Sequence, residues 1–192
     1  MTSHKINTRN IVLILMILFA GAMRLVSYKY QFLSNFTPVG VIALFGGAYF
    51  NDKWKAYLVP LLALFASDVL LNYLYTSKWT LFYDGAIGVY ICFAIMVFIG
   101  SCIKKVNFGT VALASLAGVL VHWLLIDLTW LYSSTSLYPH TLAGYGKALI
   151  AAIPFERNMV LGDLVYGTLL FGGFELAKNK CVMLRSKSEL AL

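Results

Sequence analysis

The 192-residue sequence has very little charge. Asp, Glu, Lys and Arg make up only 12% of it, whereas hydrophobic residues make up 60%. A soluble domain has about 25% charged and about 45–50% apolar residues, because it must cover its core with a polar surface. The composition therefore excludes an ordinary water-soluble fold and indicates a chain that lies in a lipid bilayer.

Cysteine is also scarce. Cys92, Cys102 and Cys181 form no C-x-x-C pair and have no metal-ligand spacing, and the three histidines are equally scattered. We interpret the cysteines as structural thiols rather than as disulfide partners or metal ligands. We expect no metal site and no cofactor.

The sequence contains no H-E-x-x-H motif, no G-x-S-x-G motif and no Walker loop. We therefore expect a protein that is not an enzyme and has no catalytic residues. Without a Walker loop the chain cannot itself use ATP. An intramembrane enzyme acting on a lipid is the weakest alternative, and Asp127, His140 and Glu156 are the set on which it would rely.

Long apolar runs bounded by charged or turn residues are what the sequence does have. A bilayer-spanning helix uses about 20 residues, so the chain has room for six spans, of which the second is short. Residues 133–156 are polar and punctuated by Gly and Pro, which predicts an outward loop with a lid hinge at Gly144-Tyr145-Gly146. We predict an all-α polytopic membrane protein, a six-transmembrane-helix bundle forming a single domain over residues 1–192, with spans at about 11–28, 38–51, 55–75, 84–103, 108–132 and 157–178.

The basic residues predict the orientation of this bundle. With the N-terminus inside, ten of the 15 Lys and Arg residues fall on the cytoplasmic side and five fall outside. Cytoplasmic loops of membrane proteins carry such an excess, which also explains the net charge of +7 without nucleic acid. We expect a multi-pass protein of the bacterial cytoplasmic membrane with both termini in the cytoplasm.

Acidic residues inside apolar runs are candidates for function. A charged side chain costs about 2.5–3.5 kcal/mol at the centre of a membrane helix, so Asp68, Asp127 and Asp163 should face the bundle interior, a cavity or a helix end. Asp127 is the strongest of the three, because it lies among tryptophans. The alternative for Asp68 and Asp163 is a structural bond to Asn72, to Tyr166 or to the backbone.

Aromatic and polar side chains cluster in the three segments predicted to face outward. Flat amphipathic side chains with a few polar groups line small-molecule pockets. The alternative is an aromatic belt at the level of the lipid headgroups.

Small residues also recur four apart, as at Ala43 and Gly47, which predicts either packing within the bundle or docking on a membrane partner.

Three stretches of the chain carry a resemblance: NFTPVGVIALFGGAYF, LVPLLALFASDVLL and YPHTLAGYGKALIAAIPFERNMVLGDLVYGTLLFGGFELAK. Over roughly residues 10–180 the sequence resembles an uncharacterised family of bacterial putative-transport membrane proteins. That family is in turn similar, at the level of fold, to the S components of energy-coupling factor (ECF) vitamin transporters.

The resemblance to S components implies a fold and a function. It implies a six-helix bundle that binds a vitamin-like micronutrient from outside and releases it inside. The partners would be the transmembrane coupling subunit and the ATPases of an ECF module, with Ala43 and Gly47 as the docking face. One branch takes up cobalamin through a cysteine near the start of span four, but here Cys92 lies deeper in that span.

We therefore expect a substrate-binding subunit for uptake of a small micronutrient, with a structural or assembly membrane protein as the alternative. Aromatic side chains would stack on the substrate and polar ones would orient it. The stacking residues would be Tyr83, Tyr90, Trp123, Trp130 and Tyr138, and the polar residues Asn35, Asp84, Asp127, His140 and Asn158.

Overall fold

The computed structural model describes residues 8–128 and 137–186, and these residues form helices with no β-strand among them. The predicted all-α fold class is therefore confirmed. Helices α1 to α8 are, in chain order, Thr8–Ala22, Arg24–Lys29, Val39–Tyr49, Lys53–Thr76, Ala86–Ser101, Phe108–Ile126, Leu142–Gly167 and Gly173–Lys180.

Four helical segments are long and apolar enough to cross a membrane: Thr8–Lys29, Lys53–Thr76, Phe108–Ile126 and Leu142–Lys180. The remaining two predicted spans are also apolar helices. However, α3 has 11 residues and α5 has 16, fewer than the ~20 that a span needs. Four helices thus support a membrane-spanning protein, and the count of six spans stays a prediction.

With α2 taken as a continuation of α1 and α8 as a continuation of α7, successive helices run in opposite directions, so their connections lie at two ends of the bundle. We call one the aromatic end, formed by residues 30–38, 77–85 and 137–141. We call the other the basic end, formed by residues 50–52, 102–107 and 181–186 with the helix turns beside them. Near the aromatic end Tyr28 Oη donates to Leu74 O at 3.0 Å, and near the basic end Tyr49 Oη donates to Glu175 Oε1 at 2.5 Å.

Helix α3 lies in the centre of the bundle. Its sequence, VGVIALFGGAY, is apolar on every face and almost all of it is buried, as expected for a helix without a polar side. A Cβ atom on Gly47 would overlap the Val97 carbonyl oxygen, and one on Gly100 would overlap that of Leu44. The two glycines therefore let α3 and α5 cross at backbone contact.

This packing corrects the predicted docking face. Ala43 and Gly47 are both buried within the chain itself, and Gly47 faces α5. A helix of another protein cannot reach them. Their spacing serves packing within the bundle, the alternative that the sequence left open.

The last helix begins at Leu142 rather than near residue 157. Thr141 caps it by accepting a hydrogen bond from Gly144 N at 3.1 Å, and a Cβ atom on Gly144 would overlap the Pro139 carbonyl oxygen. The predicted loop is thus wrong from residue 142 onward, and so is the lid hinge, because these glycines lie in a capped helix. Of the polar residues that suggested a loop, Lys147 and Glu156 occupy helical positions, whereas residues 133–136 lie outside the described residues.

The last helix is also exceptionally long. It passes through Pro154 and a π-helical turn at Thr168–Gly172 and ends at Lys180. Its 39 residues correspond to roughly 58 Å at 1.5 Å per residue, compared with a bilayer core of about 30 Å. It must therefore tilt or project beyond the hydrocarbon. Helix α6, in contrast, ends at Ile126, before the predicted limit of its span.

Candidate functional site

A buried ion pair connects the first membrane segment to the second. Arg24 Nη1 lies 2.6 Å from Asp68 Oδ1 and donates to Ser67 Oγ at 2.5 Å. Asp68 is 4% exposed and the Arg24 side chain 16%. Burying a charge in hydrocarbon is costly, and the attraction between the two opposite charges offsets part of that cost. Asp68 thus pairs with Arg24 rather than with Asn72, Tyr166 or the backbone, the partners named in the structural alternative.

Two tyrosines complete this group. Tyr90 Oη donates to Asp68 Oδ2 at 3.2 Å. Burial, together with the negative charge of Asp68 and against the opposing charge of Arg24, raises the pKa of Tyr83 to about 12. Tyr83 therefore stays protonated and can donate a hydrogen bond. We call Arg24, Ser67, Asp68, Tyr83 and Tyr90 the arginine cluster.

A second polar group joins α6 to α7. His122 Nδ1 lies 3.0 Å from Glu156 Oε1, a distance at which a protonated Nδ1 donates a hydrogen bond. Both side chains are largely buried. We call this pair the histidine cluster. It stabilises the contact between α6 and α7 in the half of the bundle near the aromatic end.

One turn of α5 lies between the two clusters. Tyr90 reaches the arginine cluster, and the Phe93 ring packs 6.3 Å from the His122 ring, measured between centroids. Residues three apart share one side of a helix. The arginine cluster, on α2 and α4, and the histidine cluster, on α6 and α7, therefore both contact α5, about one helical turn apart.

Each cluster leaves one buried polar atom without a hydrogen-bond partner among the described residues. These atoms are Arg24 Nε and Glu156 Oε2. An unsatisfied buried donor or acceptor costs about 1–3 kcal/mol, so native proteins usually satisfy such groups with protein, water or ligand. Arg24 Nε therefore leaves a donor in the arginine cluster, and Glu156 Oε2 leaves an acceptor in the histidine cluster, for water or a ligand to satisfy.

Asp163 occupies a different position. Ser115 Oγ donates to its Oδ2 at 2.6 Å across the interface of α6 and α7. Its Oδ1 has no partner with hydrogen-bond geometry among the described residues, although the backbone N–H of Val41 interacts with the carboxylate. Val41 lies in the first turn of α3, where a negative charge is favourable. The main effect of Asp163 is therefore to hold the start of α3 against α6 and α7.

Asp127 lies at the C-terminal cap of α6 and is half-buried. Burial, together with the charge of Glu156 and against the opposing effect of His122, raises its pKa to about 6. Asp127 is thus electrostatically coupled to the histidine cluster. The predicted flanking residue Trp123 donates from Nε1 to Leu149 O at 3.0 Å, whereas Trp130 lies outside the described residues.

The other predicted binding residues are dispersed. Tyr83 and Tyr90 fall within the arginine cluster, as described above. Asn158 Nδ2 donates to Phe32 O and Ser34 O, each at 3.0 Å, and ties α7 to the loop that contains Asn35. Asp84 and His140 are exposed, and Tyr138 is half-buried. The structure therefore brings two of the ten predicted residues into one cluster, where Tyr90 is hydrogen-bonded to Asp68 and Tyr83 interacts electrostatically with Asp68 and Arg24.

Several aromatic side chains at the aromatic end face outward. Phe32, Trp79 and Phe82 are all more than 60% exposed, and Trp79 stacks on Tyr73 with ring centroids 4.4 Å apart. Such exposed rings match a belt at the level of lipid headgroups, the alternative to a pocket. The buried polar atoms, rather than these rings, mark the candidate site.

Sequence reasoning did not select Arg24 or His122 as site residues, and it named Glu156 only for the enzyme alternative. Arg24 counted as an outward loop charge, and Glu156 fell in the predicted loop. The usable signal was that Arg24 follows an apolar run directly and that Glu156 sits between apolar runs. A charge in such a position needs a partner inside the bundle.

Among the described residues, no group of three or more His, Cys, Asp and Glu side chains could hold a metal.

Together, the fold and the clusters define a class: an all-helical protein with helices able to span a membrane and with ionisable side chains in its interior. The chain belongs to DUF6580, a family of unknown function, and the match covers residues 4–186. No curated protein and no solved structure matches the chain. Its function is therefore argued from its own side chains.

Proposed function

We propose that this chain is the substrate-binding membrane subunit of an uptake system for a small, vitamin-like micronutrient. In this proposal it lies in the bacterial cytoplasmic membrane with both termini in the cytoplasm, so that the aromatic end faces outward. The observation that carries the proposal is the pair of unpartnered buried atoms, Arg24 Nε and Glu156 Oε2. Ionisable groups inside a membrane bundle commonly mark substrate paths.

The chemistry of the two clusters suggests what the substrate carries. An acceptor group, such as a carbonyl or carboxylate, would take the Arg24 Nε hydrogen, and an N–H or O–H would donate to Glu156 Oε2. Tyr90 and Phe93 lie on the helix between the clusters and offer aromatic faces. A small heteroaromatic molecule with both a donor and an acceptor fits this arrangement.

Cobalamin bound through a cysteine is not part of the proposal. Cys92 is fully buried in α5, and its thiol is not presented at the aromatic end. Energy for accumulation would come from other chains, the coupling subunit and ATPases of an ECF module, because this sequence has no Walker loop. Their docking surface would lie outside α3, which is enclosed by its own bundle.

The proposal is tested by native mass spectrometry of the chain purified gently from cells. We expect wild type to retain a discrete small molecule. Arg24→Gln and Glu156→Gln should each reduce its occupancy by about tenfold, as expected for loss of one buried hydrogen bond to a charged group. The control is Arg157→Gln, which removes an exposed charge beside Glu156 and should leave retention unchanged.

Two results would contradict uptake of a bound nutrient. One is the absence of a small molecule from folded wild-type protein. The other is equal retention by wild type and both cluster variants. Stable co-purification of a membrane protein partner without any small molecule would instead support the structural or assembly role.

A further inference from the structure

A cavity of about 400 Å³ opens between α6 and the last helix, in the half of the bundle near the basic end. Its wall is built mainly from hydrocarbon, with Val111, Ala112 and Leu116 on one side and Val160, Leu164 and Phe171 on the other. Small-molecule sites have volumes of about 300–1,000 Å³. The cavity is thus large enough for an apolar ligand and lies away from the arginine and histidine clusters.

Most polar groups in the wall have partners among the described residues, the exception being Asp163 Oδ1. At the deep end Ser115 donates to Asp163 Oδ2 at 2.6 Å, and Asp163 Oδ1 lies against Gly40 of α3. We call the part of the cavity nearest the basic end, lined by Val106, Asn107 and Glu175, its mouth. At the mouth Glu175 accepts a hydrogen bond from Tyr49 and pairs with Lys178 at 2.9 Å. The space between therefore favours a hydrocarbon chain over a polar molecule.

The π-helical turn forms part of this wall. Thr168 and Gly172, the first and last residues of the turn, both line the cavity. A π-helical turn frequently marks a functional site. A Cβ atom on Gly172 would meet nothing within 4 Å, so the absence of a side chain there leaves open space.

The mouth of the cavity is rich in positive charge. Lys104 and Lys105 are exposed and directly precede Val106 and Asn107, which line the mouth. The carboxylate of Glu175 is balanced by Lys178. A basic pocket between membrane helices on the cytoplasmic side is the setting in which anionic lipid headgroups bind, with each lysine contributing about 1 kcal/mol.

We infer that this cavity binds one acyl chain of an anionic glycerophospholipid, whose phosphate lies beside Lys104 and Lys105. The apolar wall accommodates the chain, and the lysines select the charge of the headgroup. This inference does not depend on the proposed substrate. A lipid in this position would hold α6 against the last helix near the basic end.

The preference for an anionic headgroup is tested with the purified full-length chain in detergent. Equal amounts of 1-palmitoyl-2-oleoyl phosphatidylglycerol and phosphatidylcholine are added, and the bound lipids are counted by native mass spectrometry. We expect phosphatidylglycerol adducts to exceed phosphatidylcholine adducts by about tenfold. Lys104→Ser with Lys105→Ser should abolish this preference. Lys53→Ser with Lys55→Ser, which removes the same charge from α4 at the same end, should retain it.

The cavity is tested with a second pair of variants. Gly172→Leu fills the open space and should reduce adducts of both lipids at least severalfold. Gly173→Leu is the control, because this exposed neighbour also meets nothing within 4 Å and does not line the cavity. Equal adducts of the two lipids on wild type, a preference that survives loss of Lys104 and Lys105, or undiminished binding by folded Gly172→Leu would each overturn the inference. If Gly172→Leu does not fold, the lysine variants decide.

Discussion

The guanidinium of Arg24 and the carboxylate of Asp68 lie 2.6 Å apart although 44 residues separate them. The pair links α2, at the end of the first membrane segment, to the middle of α4. Removing one member of a buried pair leaves an uncompensated charge, which is usually far more costly than removing both. This asymmetry makes the pair accessible to a double-mutant experiment.

We predict that Asp68→Asn alone lowers the free energy of unfolding by about 3 kcal/mol. Asp68→Asn combined with Arg24→Gln should cost measurably less than the sum of the two single changes. Reversible unfolding in mixed micelles would measure both. The control is the exposed pair of Lys55 and Asp52, whose double replacement should change stability by less than about 1 kcal/mol. Additive effects at Arg24 and Asp68 would show that the ion pair contributes no coupling.

Two neighbouring glycines of α7 should respond in opposite ways to alanine. Gly146→Ala should stabilise by roughly 0.5–1 kcal/mol, since an added Cβ meets nothing within 4 Å and alanine is the better helix former. Gly144→Ala should destabilise by about 2 kcal/mol or more, because its Cβ would overlap the Pro139 carbonyl oxygen. Thermal unfolding of the two variants side by side measures the difference. Equal effects would be inconsistent with the tight turn at Thr141.

The crossing of α3 and α5 predicts a third stability effect. Gly47→Ala should destabilise by about 2 kcal/mol or more, since the new Cβ would push against the Val97 carbonyl oxygen. Gly173→Ala, at an exposed helical position with free space, is the matched control and should be neutral or slightly stabilising. If Gly47→Ala leaves stability unchanged, the backbone contact between the two helices is not formed.

The raised pKa of Asp127 predicts a pH dependence of stability. Burial raises this pKa to about 6 from an ordinary value of 3.8, so the folded protein binds the proton more tightly than the unfolded chain. The resulting stabilisation is complete below the ordinary value and is lost as the pH rises through about 6. Asp127→Asn should remove this component from a series of unfolding temperatures measured between about pH 4 and about pH 7. An unchanged pH profile in the variant would mean that other groups cause the dependence.

The proposed orientation predicts where impermeant thiol reagents react. In a background without native cysteines, Leu137→Cys should be labelled in intact cells or spheroplasts, because Leu137 is fully exposed at the aromatic end. A chain that keeps only Cys102, which is exposed near the basic end, should be labelled only after the membrane is opened. The opposite pattern would reverse the assignment of the two ends. Labelling of both positions in intact cells would be incompatible with a spanning bundle.

The sequence predicted the positions of most helices because apolar runs and their boundaries are local features. The segments now seen as α3 to α5 were placed within a few residues, since composition alone separates apolar stretches from the turns between them. The start of α7 was misplaced, because polar residues interrupted by Gly and Pro, as in residues 133–156, are typical of a loop. Glu156 is in fact buried against His122, a partner that only the packed bundle supplies.

The sequence by itself determined that this is an all-helical chain with helices apolar enough to span a membrane. That conclusion follows from how little charge the chain has and from the lengths of its apolar runs. Only the tertiary structure decided which polar groups meet. Arg24 pairs with Asp68, His122 contacts Glu156, and Gly47 packs against α5. Each of these contacts joins residues 34 to 50 positions apart, and the pairing depends on helix packing that no local pattern specifies.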